Sequence, residues 1–99
     1  MKHGLERKEL QILIRSLTQH SCITEALIFG SRALGTHKKA SDIDIALKGS
    51  LSLSLIAKLK DEFEESNLPY SCDIVSYERA SLSLQKHIDK YGITIYPSP

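Results

Sequence analysis

The 99-residue sequence is poor in several features that mark particular classes of protein. Its two cysteines, Cys22 and Cys72, are far apart and lack metal-type spacing, so we expect two reduced, partly buried thiols. No apolar run approaches the ~20 residues that a membrane-spanning helix needs. The charged N-terminus is not followed by an apolar stretch, which argues against a secretory signal. We therefore expect a cytoplasmic protein without a membrane span.

The sequence also has no marked excess of positive or negative charge. The formal net charge is +1 and the sequence pI is about 7.8. A domain that coats nucleic acid is usually distinctly basic, so we expect no direct nucleic-acid binding. The length corresponds to one small domain, residues 1–99, with no room for a second domain that would bind a separate substrate.

Two aspartates alternate within an otherwise apolar run, Asp42–Leu47. Aspartate is depleted in strands, so an alternating pair calls for a particular reason. Side chains alternate across a strand, which places Asp42 and Asp44 on one face with Cα atoms roughly 6.5–7 Å apart. Two ionised carboxylates that close repel each other unless a cation lies between them or one takes a proton. Hard oxygen ligands suit Mg²⁺, which completes its shell with water and substrate phosphates. The pair therefore predicts a metal, and the metal predicts a phosphate.

A glycine-serine turn precedes this pair. The run Ala26–Phe29 predicts a short buried strand that ends at Gly30. Residues 30–35 then predict a tight turn into a short helical piece, with Ser31 as its N-cap. Gly30 lets a phosphate approach the backbone, and Ser31 and Arg32 can donate hydrogen bonds to phosphate oxygens. A phosphate cradle followed by a carboxylate pair is what nucleoside triphosphate chemistry requires.

Simpler structural explanations stay open for these residues. Asp42 alone is equally typical of a turn or cap after Ser41. Gly30 and Ser31 also suit an ordinary strand-to-helix turn, and an arginine such as Arg32 on a turn is commonly solvated.

The remaining sequence predicts alternating helices and strands. The periodicity of leucine and isoleucine predicts a first helix over roughly residues 5–19. The other expected elements are a strand at 42–47, a helix at 51–65, a strand at 71–77, a helix at 78–90 that ends at Gly92 as its C′ residue, and a strand at 93–96. Such alternation indicates an α/β layer architecture.

Residues 28–47, IFGSRALGTHKKASDIDIAL, resemble the signature of the minimal nucleotidyltransferases, a small branch of the polymerase-beta-like superfamily. The resemblance covers about residues 10–96. It implies the α+β fold of that family, a small mixed sheet with helices packed on it. It also implies a third carboxylate on a later strand, and Asp73 fits that place. Relatives of this kind often have Arg where this chain has Leu34, which removes one possible phosphate contact.

The resemblance further implies an activity and a set of site residues. Asp42, Asp44 and Asp73 would be the catalytic residues and the ligands of two Mg²⁺ ions. The residues implied in nucleotide binding are Gly30, Ser31, Arg32 and Ser41. The implied reaction moves a nucleoside monophosphate, most simply AMP from ATP, onto an acceptor hydroxyl.

The acceptor that the resemblance implies is a tyrosine of a HEPN-type helical toxin, encoded by the neighbouring gene and held in a hetero-oligomer. This chain would then be the antitoxin. Two other functions stay open from the sequence. One is a binding antitoxin or complex subunit without catalysis. The other is nucleotidylation of a small molecule such as an antibiotic, which normally needs an added helical domain.

Overall fold

The structure is a computed structural model that describes residues 3–36 and 42–97. Four strands and four α-helices alternate in it, with one 3₁₀ turn. In chain order they are α1 (Arg7–Thr18), β1 (Ile23–Phe29), α2 (Ser31–Leu34), β2 (Ile43–Gly49), α3 (Leu53–Glu64), β3 (Cys72–Ser76), the 3₁₀ turn (Tyr77–Arg79), α4 (Leu82–Tyr91) and β4 (Ile93–Tyr96).

The strands form one mixed sheet in the order β3-β2-β1-β4. β1 is antiparallel to both β2 and β4, whereas β2 and β3 are parallel. The register places Asp44 opposite Phe29 on one side and opposite Asp73 on the other. The expected small mixed sheet with packed helices is confirmed.

Each face of the sheet carries a different layer of helices. Ile43, Ile45 and Leu47 are fully buried in the larger apolar cluster, which also contains residues of α1 and α3. The alternate positions face the other way, and there Leu27, Phe29 and Ala46 pack against Ile88 of α4. Since Asp44 alternates with Ile43 and Ile45, its side chain is on the α4 face of the sheet.

The predicted helix at 78–90 is wrong over its first residues. A 3₁₀ turn occupies Tyr77–Arg79, and Ala80 is extended, with φ −72° and ψ 154°. The helix proper begins after Ser81, whose Oγ accepts a hydrogen bond from Leu84 N–H at 3.2 Å. Serine at an N-cap satisfies a backbone donor that the first helical turn leaves without a partner, which explains where the helix begins.

The start of α2 and the end of α4 also differ from expectation. Gly30, rather than Ser31, is the N-cap of α2. Gly92 has φ −59° and is not the left-handed residue expected after α4. A Cβ at this position would collide with the Ile88 carbonyl and contact the Leu27 side chain, so close packing explains the glycine there.

No helix among the described residues is both long and apolar enough to cross a bilayer.

Both cysteines are free thiols, as predicted, with Cys72 buried at the start of β3 and Cys22 partly buried. Burial, followed by the negative charges of Asp73 and Asp42, raises the pKa of the Cys72 thiol to about 12. A thiol with such a pKa is protonated at neutral pH, and the thiolate is the nucleophile and metal ligand. Cys72 is therefore a structural residue.

The burial and raised pKa of Cys72 predict that the two cysteines react at different rates. Iodoacetamide, applied to the native protein near the ordinary thiol pKa of about 8.5, should modify Cys22 first. Alkylation of Cys72 should be at least ~100-fold slower in the native protein than in urea, because few molecules carry the thiolate. Peptide mapping by mass spectrometry measures both rates. Equal rates at the two sites of the native protein would contradict this assignment.

Candidate active site

Three carboxylates lie near one another where β2 and β3 begin. Asp44 and Asp73 are register partners across the parallel pair, and Asp42 lies two residues before Asp44. Neighbouring residues in register, and residues two apart in an extended chain, share a face of the sheet. The structure therefore brings together the three aspartates that the sequence singled out. Asp44 is half-buried, whereas Asp42 and Asp73 are exposed.

The electrostatics of this end of the sheet are unfavourable for negative charge. Burial raises the pKa of the Asp44 carboxyl above its ordinary value of 3.8, and the charges of Asp73 and Asp42 raise it further. The nearby His87 would lower this pKa if protonated. Burial and like charges disfavour an ionised carboxylate, and a bound cation reverses both effects. The site thus has the charge balance of a cation-binding site.

Gly30 lies directly against Asp44. A Cβ at Gly30 would overlap Asp44 Oδ2, far inside van der Waals contact. The backbone at Gly30 has φ 75° and ψ −150°, a region that is essentially restricted to glycine. Residue 30 must therefore be glycine for two reasons, its conformation and its distance from the carboxylate. Ser31 follows as the first residue of α2 and is partly exposed. The turn predicted to cradle phosphate therefore lies against Asp44, one of the carboxylates predicted to hold metal.

Arg32, one of the residues predicted to bind nucleotide, is buried in the structure. Its side chain is only 1% exposed. Its Nη1 donates a hydrogen bond to the His3 carbonyl at 2.8 Å, and its guanidinium lies 4.5 Å from the centre of the Tyr70 ring. A buried guanidinium engaged in this way stabilises the N-terminal segment, and the contact of Arg32 with phosphate stays a prediction. Ser41, the other residue predicted to bind nucleotide, lies outside the described residues.

His87 is a site residue that the sequence did not reveal. The Gly30 N–H donates a hydrogen bond to His87 Nε2 at 3.1 Å, although the two residues are 57 positions apart. One histidine on an amphipathic helix is usually an ordinary partly buried residue, and no local pattern distinguishes this one. Only the packing of α4 on the sheet brings its ring to the turn.

The carboxylates suit a hard divalent ion in their chemistry. All three side chains offer oxygen, the donor that Mg²⁺ prefers. Within residues 3–36 and 42–97, no three His, Cys, Asp or Glu side chains already converge on one ion position. Asp42 and Asp73 are exposed, which leaves their side chains room to rotate toward Asp44. The uncompensated charge around Asp44 is the observation that makes the set fit a metal.

Comparison with known proteins assigns the fold to a family. The model of the family described as "Polymerase beta, Nucleotidyltransferase" matches residues 11–98. The chain belongs to this nucleotidyltransferase family. The resemblance drawn from the glycine-serine turn and the alternating aspartates is thereby confirmed.

One curated relative and two solved structures illustrate the likeness. A probable protein adenylyltransferase MntA of Haemophilus influenzae is 32% identical over 93 residues, which covers 92% of this chain and 82% of the relative. A crystal structure of a toxin–antitoxin with AMP-PNP superposes with a TM-score of 0.73 at 26% identity, covering 93% of this chain and 73% of the other. A tri-AMPylated HEPN toxin of Shewanella oneidensis in complex with an MNT antitoxin gives a TM-score of 0.73 at 21% identity, covering 93% and 72%, and supports the fold alone.

The contact between Gly30 and Asp44 predicts the effect of adding one methyl group. Gly30→Ala should destabilise the protein by about 1–3 kcal/mol through backbone strain, and should also displace the Asp44 carboxylate. Gly35→Ala is the matched control, because Gly35 also has a positive φ of 77° but no atom of the described residues lies within 4 Å of a Cβ there. Urea unfolding measures the stability of both variants. Their affinity for nucleotide shows whether the displaced Asp44 carboxylate impairs binding. Equal losses of affinity in the two variants would contradict a specific role for the contact.

The raised pKa of Asp44 predicts a gain of stability when its charge is removed. As pH rises above 3.8, the unfolded chain releases this proton before the folded protein does, so the stability of the folded state falls through the interval up to the raised pKa and stays lower above it. Asp44→Asn should therefore raise Tm at neutral pH in EDTA, with little difference below pH 3.8. In a domain of this size each kcal/mol appears as about 4–8 °C, so a small gain is measurable.

The control for this experiment is Asp61→Asn, which removes a negative charge from an exposed position on α3. Its Tm should be close to that of the unmodified protein, because surface substitutions usually change stability by less than about 0.5 kcal/mol. An Asp44→Asn variant no more stable than the unmodified protein at neutral pH would show that the carboxylates do not repel each other in the metal-free protein.

Proposed function

We propose that this protein transfers AMP from ATP to a tyrosine hydroxyl of a HEPN-type protein and thereby acts as its antitoxin. The observation that carries the proposal is the contact of the Gly30 turn with Asp44, because it joins the turn predicted to bind phosphate to a carboxylate cluster. The relative named as a probable protein adenylyltransferase and the likeness to a toxin–antitoxin with AMP-PNP support the choice of nucleotide and acceptor.

Each site residue has a distinct part in this reaction. Asp42 and Asp44 would hold two Mg²⁺ ions, one of them shared with Asp73. When bound, the ions would neutralise part of the phosphate charge and lower the pKa of the acceptor hydroxyl. Asp73, exposed beside Asp44, can take the proton of that hydroxyl as a general base. The backbone and hydroxyl donors of the Gly30–Ser31 turn would hold the departing pyrophosphate.

The bonds that change are few. The acceptor oxygen forms a bond to the α-phosphorus of ATP, and the bond from that phosphorus to the bridging oxygen of pyrophosphate breaks. The hydroxyl proton passes to Asp73. No reductant or further co-reactant is needed.

An exposed site agrees with a protein acceptor. Asp42 and Asp73 are exposed at the end of the sheet, so a side chain presented by another protein can reach them. We place the reaction in the cytoplasm, where ATP, Mg²⁺ and a partner encoded by the neighbouring gene would meet.

The decisive experiment combines this protein with labelled ATP, Mg²⁺ and the product of the adjacent gene, followed by intact-mass measurement of both chains. We expect the partner to gain one or more AMP units on tyrosine. Asp44→Asn and Asp73→Asn should each lower the rate by at least about 10²-fold, the effect typical of losing one electrostatic stabiliser or general base. EDTA should abolish the gain.

Asp61→Asn is again the control, and this variant should transfer AMP to the partner at the same rate as the protein without substitutions. A stable complex of the two proteins with no mass gain would contradict the proposal and favour an antitoxin that acts by binding alone. A mass gain that survives Asp44→Asn unchanged would show that another site does the chemistry.

A further inference from the structure

His87 lies on the inner face of α4, between two aromatic rings and the turn after β1. Its ring meets Phe29 edge-on, with centroids 6.1 Å apart and an angle of 78° between the planes. The ring of Tyr91, one helical turn later, is 5.3 Å away. Two aromatic neighbours restrict how the imidazole can rotate, so its Nε2 atom is held toward Gly30.

The hydrogen bond from Gly30 N–H to His87 Nε2, 3.1 Å long, fixes the first peptide of the turn. An imidazole nitrogen accepts a hydrogen bond through its lone pair, so this contact uses Nε2 of His87 as the acceptor. The same glycine lies against the Asp44 carboxylate. Gly30 is thus in contact with both α4 and the carboxylate cluster.

The conformation of this peptide determines where the following donors point. The N–H groups and the hydroxyl of the turn can hold a phosphate only while the backbone keeps its unusual dihedral angles, φ 75° and ψ −150° at Gly30. Glycine reaches many other conformations at little cost, so an outside contact is needed to keep this one. In the described structure His87 provides such a contact.

We propose that His87 is a positioning residue for the nucleotide, which orders the Gly30–Ser31 turn by accepting the Gly30 N–H and so increases the affinity for the phosphates of ATP. The proposal rests on the proposed function, since it concerns the same site. His87 need not touch the substrate. Its loss should affect the binding of ATP more than the rate of the bound complex, because the turn would hold the β- and γ-phosphates, whereas the bond to the acceptor forms at the α-phosphorus.

Three variants separate this role from simple packing. His87→Leu keeps an apolar side chain between α4 and β1 but cannot accept a hydrogen bond. His87→Gln restores an acceptor, since its Oε1 can reach a position close to that of Nε2. Tyr91→Leu removes the aromatic neighbour and leaves the hydrogen bond, so it controls for disturbed packing of α4.

The first measurement is calorimetric binding of ATP with Mg²⁺ to the full chain, together with Tm. We expect His87→Leu to weaken ATP binding about 10-fold, the size of effect that one lost hydrogen bond produces. His87→Gln should recover most of the affinity, and Tyr91→Leu should keep it even where its Tm falls. With the partner as acceptor, KM for ATP should rise in His87→Leu by a similar factor while kcat changes less.

Three outcomes would count against one proposal or both. An unchanged ATP affinity in His87→Leu, with a lower Tm, would overturn the positioning role and leave His87 as a packing residue. Unmodified protein that binds ATP but modifies no partner would overturn the proposed function, while the affinities of the variants would still decide the role of His87. Unmodified protein that does not bind ATP would overturn both.

Discussion

The site depends on the close approach of the Gly30 backbone to the Asp44 carboxylate. The antiparallel register of β1 and β2 sets Phe29 opposite Asp44, so the chain that leaves β1 passes directly beside the first residues of β2. A side chain at position 30 would occupy the space of the carboxylate. The glycine, the register and the position of the acidic residue are therefore one constraint, and a shift of one residue in the pairing would move Asp44 to the other face of the sheet.

A second consequence of the register is electrostatic. Parallel pairing of β2 and β3 places Asp44 beside Asp73, an arrangement that burial and mutual repulsion both disfavour. The strands hold this arrangement because the alternate residues of β2, Ile43, Ile45 and Leu47, are fully buried on the opposite face. Full burial of one such side chain contributes about 1.5–3 kcal/mol, so three of them outweigh a modest repulsion where the two strands begin. The apolar face thus stabilises a group of carboxylates that is unfavourable without a cation.

Local patterns in the sequence were sufficient for the parts of the site that lie close together in the chain. Alternation within Asp42–Leu47 identified both the strand and the shared face of its two carboxylates, and the break at Gly30 identified the turn. Capping was harder to predict, because serines at 31 and 81 look alike in sequence, while only Ser81 is an N-cap and Ser31 lies inside α2 as its first residue. His87 was missed for a different reason: its contact with Gly30 joins residues 57 apart and depends on how α4 packs.

The burial of Arg32 changes how the turn can bind phosphate. Its guanidinium contacts the His3 carbonyl and Tyr70, and the exposed residue two positions later is Leu34, whose side chain has no hydrogen-bond donor. Within residues 30–36 the donors left for a phosphate are consequently backbone N–H groups and the hydroxyl of Ser31, because the Thr36 hydroxyl donates to the Ser31 carbonyl. Backbone N–H groups carry no net charge, so they bind a phosphate only when they point at its oxygens. Rotation of the peptide planes therefore lowers the affinity for phosphate. A turn of this composition therefore needs a fixed backbone more than one that carries arginine, and the hydrogen bond to His87 supplies that order from outside the turn.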